Sequence, residues 1–104
     1  MKGLLSFLGL GSAVIRKAYY KGAVILDVRS GLEYDQGRIG DSVNIPIDRL
    51  AMNMPRIQAM KAGVICCCSS GNRSAQAVTY LKRHGIKVVY DGGSWEKLQH
   101  VIRK

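Results

Sequence analysis

Two apolar runs, "AVILDV" (Ala23 to Val28) and "GVICCC" (Gly63 to Cys68), set the tightest limit on what this chain can become. Neither alternates apolar with polar side chains. A strand of that kind has both faces turned away from water, which is the situation inside a parallel sheet covered on both sides. "SVNIP" (Ser42 to Pro46) and "KVVY" (Lys87 to Tyr90) read as two further short strands, the first stopped by its proline.

Helical segments fall between these runs. Ser12 to Tyr20 predicts a helix with Ser12 as N-cap and Gly22 just past its end. "IDRLAMNM" suits one or two turns, Pro55 interrupts, and "RIQAMK" adds another short turn. "SAQAVTYLKRHG" is the clearest helix, with Ala75, Val78 and Leu81 on one face and Gly85 at its stop. Ser94 caps a last helix running through Ile102. Strands alternating with helices predict an α/β three-layer sandwich, a small, mainly parallel sheet of four to five strands with helices on both faces. Ligands of such sheets bind at the carboxyl ends of the strands, where the three cysteines stand.

A chain of 104 residues, 47% apolar and 22% charged, forms one globular domain. We read residues 1–12 as a lead-in segment and 13–104 as the domain. "MKGLLSFLGLGSA" faintly resembles a signal peptide, but glycines break its apolar part and it is too short to span a bilayer. The expected location is the cytoplasm, with export as the alternative. The net charge of +9 comes from scattered basic residues, without a basic run or an aromatic platform, so nucleic acid is not the expected partner. A positive field favours small anions instead. Adjacent cysteines make a poor disulfide framework, and their spacing fits no zinc site. No metal is expected.

"CSSGNRS" lies between the third strand and the clearest helix. Ser69, Ser70, Gly71 and Asn72 can turn tightly enough for successive N–H groups to converge as an anion-binding nest. The helix adds its positive end, and Arg73 and Ser74 add donors. A cysteine at the floor of this nest would have a stabilised thiolate, an activated nucleophile without a general base. His84 and His100 read as surface residues, so a Cys-His mechanism is not expected.

"VILDVRSGLEYDQGRIGDSVNIP" followed by "CSSGNRSAQAVTYLKRHGIKVVYDGGSW" resembles the single-domain rhodaneses, the thiosulfate sulfurtransferase family. The resemblance runs from about Ala18 to Leu98. It rests on the order of Asp27-Val28-Arg29, Glu33-Tyr34, Gly37-Arg38-Ile39, Asn44-Ile45-Pro46, and Gly92-Gly93 with Trp95. It implies a rhodanese-like fold and a ping-pong sulfurtransferase. The active cysteine takes the outer sulfur of thiosulfate or a related small anionic donor, forms a persulfide, and passes it to cyanide, a thiol or a protein acceptor. No separate cofactor is implied. The family's loop opens on the nucleophile and often ends in arginine, which assigns Cys68 as nucleophile and Ser69, Ser70, Gly71, Asn72, Arg73 and Ser74 as the binding loop.

Two departures stand out. Arg38 replaces a common histidine, altering a structural contact, and Cys66 and Cys67 occupy strand positions usually held by other residues. Both cysteines read as small buried hydrophobes, with Cys67 as a resolving thiol for Cys68 the sharper alternative. Counting from Cys67 instead gives the C-x5-R spacing of cysteine-dependent phosphatases and arsenate reductase-like enzymes, whose larger loop fits phosphate. A non-catalytic rhodanese-fold binding module is the third reading. Asp27 is expected to orient loop backbone, and Arg29 to assist an anion or to pair with Glu33 or another acid. Tyr34, Tyr90, Trp95, Met52, Met54 and Met60 read as packing residues, and Asp41 as a turn residue.

Overall fold

The computed structural model describes residues 11–103, so the lead-in segment lies outside the described residues except for Gly11 and Ser12. In chain order the elements are α1 (Ser12–Tyr20), β1 (Val24–Asp27), α2 (Gly31–Asp35), β2 (Val43–Asn44), 3-10 turns at Ile47–Arg49 and Ala51–Asn53, and α3 (Met54–Gln58). There follow β3 (Val64–Cys68), α4 (Asn72–Arg83), β4 (Val89–Ser94) and α5 (Trp95–Ile102). The sheet has the order β2-β1-β3-β4, and every pairing is parallel.

The central strand β3 is buried along its whole length. Side chains alternate across a strand, so its five residues feed two separate cores. Val64, Cys66 and Cys68 pack with Leu26, Ile57, Ala77 and Leu81 on the face covered by α3 and α4. Ile65 and Cys67 pack with Ile15, Ile25, Leu98 and Ile102 on the face covered by α1 and α5. This is the expected three-layer sandwich. Each fully buried aliphatic side chain contributes about 1.5–3 kcal/mol, which makes these two clusters the main source of stability.

Register brings the carboxyl ends of the strands together. Asp27 stands beside Cys67 on one side and Asn44 on the other. Between β3 and β4 the register slips: Cys66 pairs with Asp91 but Cys67 pairs with Gly93, leaving Gly92 as a bulge. A Cβ on Gly92 would sit 2.9 Å from the Cys66 carbonyl oxygen and 2.9 Å from Leu98 Cδ2, so the approach admits only glycine.

Several local expectations shift. Gly11, not Ser12, is the N-cap of α1, and it makes no side-chain cap bond. The buried face of α4 is Ser74, Ala77 and Leu81, while Ala75 is exposed. The helix begins at Asn72, ahead of the apolar pattern, because it must follow the loop directly. The second strand shrinks to two residues, Val43–Asn44, and the Asn44 side chain donates to the Asp27 and Arg29 carbonyls. The fourth strand runs on through Gly92-Gly93 to Ser94, and Ser94 caps α5 as expected by accepting from the Lys97 N–H. Pro55 opens α3 rather than interrupting a helix. The short helix α2 has no apolar period to announce it; a capping box between Ser30 and Glu33 carries it. Met54 and Met60 pack on the core, but Met52 is exposed.

Gly92→Ala is expected to lower stability by about 1–3 kcal/mol through overpacking at the bulge, read from the urea unfolding midpoint at unchanged slope.

Candidate active site

Gly71, with φ +101°, turns the chain between β3 and α4. That left-handed residue lets the Gly71 N–H point back at Cys68 Sγ, at 3.0 Å, while the Ser74 N–H reaches the same sulfur at 3.3 Å. Burial pushes the Cys68 thiol up. Hydrogen bonds from the Ser74 hydroxyl and from the N–H groups of Ser74, Gly71 and Arg73 outweigh it, so its pKa falls below the ordinary 9.0. Cys68 is nevertheless 0% exposed, while Ser69, Ser70 and Asn72 above it are exposed. The sulfur is shallowly covered by its own loop.

Cys66 and Cys67 have no such cradle. Burial pushes the Cys66 thiol up to about 12 and drives Cys67 higher still. Cys67 lies on the opposite face of β3 from Cys68. A resolving role for Cys67, or a phosphate cradle built on it, would require its sulfur to cross the sheet.

The Arg73 side chain does not turn to the sulfur. Its Nη1 and Nη2 donate to the two carboxylate oxygens of Glu33 at 2.7 and 3.0 Å. Ser69 Oγ donates to Glu33 Oε2 at 3.1 Å, and Ser30 donates its N–H and hydroxyl to Oε1, each at 3.0 Å. The Arg73 guanidinium, with help from Ser30 and Ser69, holds the Glu33 carboxyl far below the usual carboxylate range. A depressed carboxylate contributes stability above its unfolded pKa and loses it only as pH falls through the folded value, so this clamp stays charged at every ordinary pH.

Asp27 and Arg29 find each other. Arg29 Nε and Nη2 donate to the Asp27 carboxylate at 2.7–3.0 Å, and both residues are at least 97% buried. Arg29 also donates to the Gly37 carbonyl at 2.7 Å and stacks 4.8 Å over the Trp95 ring. The Asp27 carboxylate is thus spent on Arg29 rather than on the cysteine loop. Arg29 reaches Glu33 only through that residue's carbonyl, at 3.3 Å.

Two residues that meet the loop were not placed there by the sequence. Glu33 was read there as part of the Glu33-Tyr34 motif and as a possible partner of Arg29, not as a partner of the loop. Asp91, in the bulge, accepts from Ser74 Oγ at 2.8 Å and from the Gly93 N–H at 3.0 Å. The one Ser74 hydroxyl proton is shared among Asp91, the Gly71 carbonyl at 3.0 Å and the Cys68 sulfur. No sequence signal marked Asp91, because the bulge that aims it is a tertiary feature. Elsewhere, Asp41 accepts from Tyr19 Oη at 2.7 Å, Arg38 stacks 4.7 Å over the Tyr34 ring, and His84 stacks on Tyr80.

A cavity of about 480 Å³ opens beside the loop, lined by Ser70, Gly71, Asn72, Lys97 and Leu98 among others. Among the described residues no cluster of three His, Cys, Asp or Glu side chains could hold a metal, and no helix is long and apolar enough to cross a membrane.

Comparison with known proteins matches residues 13–100 to the rhodanese-like domain model. The chain belongs to the rhodanese-like domain family. It is 33% identical over 70 residues to a sulfurtransferase of Allochromatium vinosum, covering 67% of this chain and 64% of that one. It is 28% identical over 89 residues to a tRNA uridine(34) hydroxylase of Hamiltonella defensa, 79% of this chain but only 25% of that protein. A solved rhodanese-related protein of Thermoplasma volcanium superposes with a TM-score of 0.66 at 31% identity, covering 81% and 80% of the two chains. The human single-domain sulfurtransferase TSTD1 shares the fold, with a TM-score of 0.59 at 24% identity over 95% and 92%.

For this rhodanese domain, ultraviolet titration of thiolate absorbance should show one thiol ionising below pH 9, with the other two silent until unfolding. Cys68→Ser should abolish that step, and Gly71→Ala should move it back toward pH 9. Arg29→Met should cost about 3–5 kcal/mol in urea unfolding, because it strands a buried Asp27 charge.

Proposed function

We propose that this rhodanese is a sulfurtransferase whose nucleophile is Cys68. The observation that carries the reading is the convergence of the Gly71 and Ser74 N–H groups on Cys68 Sγ at 3.0 and 3.3 Å. Donors in that arrangement stabilise a sulfur anion before and after it has gained a second sulfur. The Cys68 thiolate attacks the outer sulfur of thiosulfate. A new S–S bond forms, the bond to the sulfonate sulfur breaks, and sulfite leaves with the electron pair. No proton moves, so the exposed His84 and His100 are not needed as bases. Cyanide or a thiolate, free or on a protein, then attacks the outer persulfide sulfur and restores the Cys68 thiolate.

The cradle residues Ser69 to Ser74 supply the electrostatics, and the covalent persulfide replaces a bound cofactor. The neighbouring cavity offers room for the body of a donor or acceptor. Since Cys68 does not line that cavity and is fully covered, transfer requires the Ser69–Asn72 cover to yield. The likeness to the Allochromatium vinosum sulfurtransferase supports the reaction class. Against the phosphatase register stands Cys67, turned into the α1–α5 core.

The test is intact-mass spectrometry after incubation with thiosulfate. One added sulfur should appear in the parent protein, in Cys66→Ser and in Cys67→Ser, and should vanish in Cys68→Ser. Loss with Cys67→Ser instead, or turnover of an aryl phosphate alone, would overturn the assignment.

A further inference from the structure

We propose that Glu33 sets the donor preference of this site: its carboxylate occupies the loop arginine and biases the enzyme away from dianionic donors such as thiosulfate, toward persulfides. This rests on Cys68 being the sulfur-accepting nucleophile.

The Glu33 carboxylate spans the loop, holding Ser69, directly after the nucleophile, and Arg73, four residues further on. Arg73 Nη2 lies 3.4 Å from Ser69 Oγ as well, so the three groups form one network. The carboxylate is itself fixed, because Ser30 donates to it twice and accepts from the Glu33 N–H at 3.2 Å, tying it to the first turn of α2. The Nη1/Nη2 fork of the guanidinium is already committed to a carboxylate, which also balances its charge. Arg29 offers no substitute, being buried against Asp27. Lys97 lines the cavity on the α5 side of the loop and belongs to neither pair.

A sulfur donor meets this arrangement in one of two ways. Thiosulfate brings two negative charges, so its sulfonate must displace Glu33 from Arg73 or do without that arginine while lying near a carboxylate. A persulfide brings at most one negative charge and no oxyanion group, and it accepts attack in its protonated form, RSSH. The Cys68 thiolate attacks its outer sulfur, a new S–S bond forms, the RS–S bond breaks and RS⁻ leaves, giving Cys68–SSH. The second route asks nothing of Arg73. Glu33 and Arg73 are about one-third exposed, so water screens the pair and the bias is modest, roughly fivefold. Glu33 is a positioning residue here, acting through Arg73 and Ser69.

The experiment compares kcat/KM for thiosulfate with kcat/KM for a small-molecule persulfide in the parent chain and in Glu33→Gln. Glutamine keeps an oxygen for the Ser30 cap, so α2 is retained. The thiosulfate-to-persulfide ratio should rise about fivefold, carried by KM for thiosulfate. In Cys68→Ser, which cannot turn over, adding Glu33→Gln should tighten thiosulfate binding by a similar factor in calorimetry. If Glu33→Gln fails to fold, Glu33→Asp, too short to hold Arg73 and Ser30 together, should move the ratio the same way. An unchanged or lower ratio, or unaltered thiosulfate binding, overturns the proposal. Absence of sulfur on Cys68 from either donor in the parent chain overturns the sulfurtransferase reading itself.

Discussion

The alternation of side chains along one fully buried strand governs the rest of this structure. Because β3 is covered on both faces, its residues have no solvent side, and each must enter one of two cores. Three consecutive cysteines cannot then be equivalent. Cys67 goes to the α1–α5 face, while Cys66 and Cys68 go to the α4 face. Of the latter two, only Cys68 stands where the strand gives way to the loop. A one-residue slip of β3 would exchange the two cores, so the identity of the nucleophile is protected by the same burial that stabilises the fold.

The loop turns that placement into chemistry with little machinery. A left-handed glycine and the first turn of α4 direct N–H groups at the sulfur, and these donors are fixed by the fold before any substrate arrives. The desolvation that accompanies burial works against the thiolate, and the donors outweigh it only at Cys68. At Cys66 and Cys67 desolvation acts with few opposing contacts, and the same residue type becomes an inert core filler.

What the sequence made legible was what local pattern encodes. The apolar runs around Ile25 and Ile65 announced buried parallel strands, and Ser94 announced its cap, because burial and capping are written in adjacent residues. The loop from Cys68 to Ser74 was legible as a turn with donors, though its side-chain partners were not. Arg73 reads as a free cation until the fold brings Glu33 against it from forty residues away. Asp91 reads as a strand-end acid until the Gly92 bulge turns it toward Ser74. The face of α4 was misread at Ala75 for a related reason: Ser74, polar by type, is buried because the sulfur and Asp91 satisfy it.

The two ion pairs beside the loop make a final contrast. Asp27–Arg29 is buried, hydrogen-bonded on every side and stacked on Trp95, so neither partner can leave without a large cost. Its function is to hold the chain leaving β1, since Arg29 also grips the carbonyl of Glu33, inside α2, and that of Gly37, just beyond it. Glu33–Arg73 is exposed by about a third, so water screens it. A buried pair therefore fixes the position of α2, and a solvent-screened pair extends from α2 to the loop. The backbone that presents the Glu33 carboxylate is thus held by the buried pair, and the carboxylate itself meets the loop at the surface.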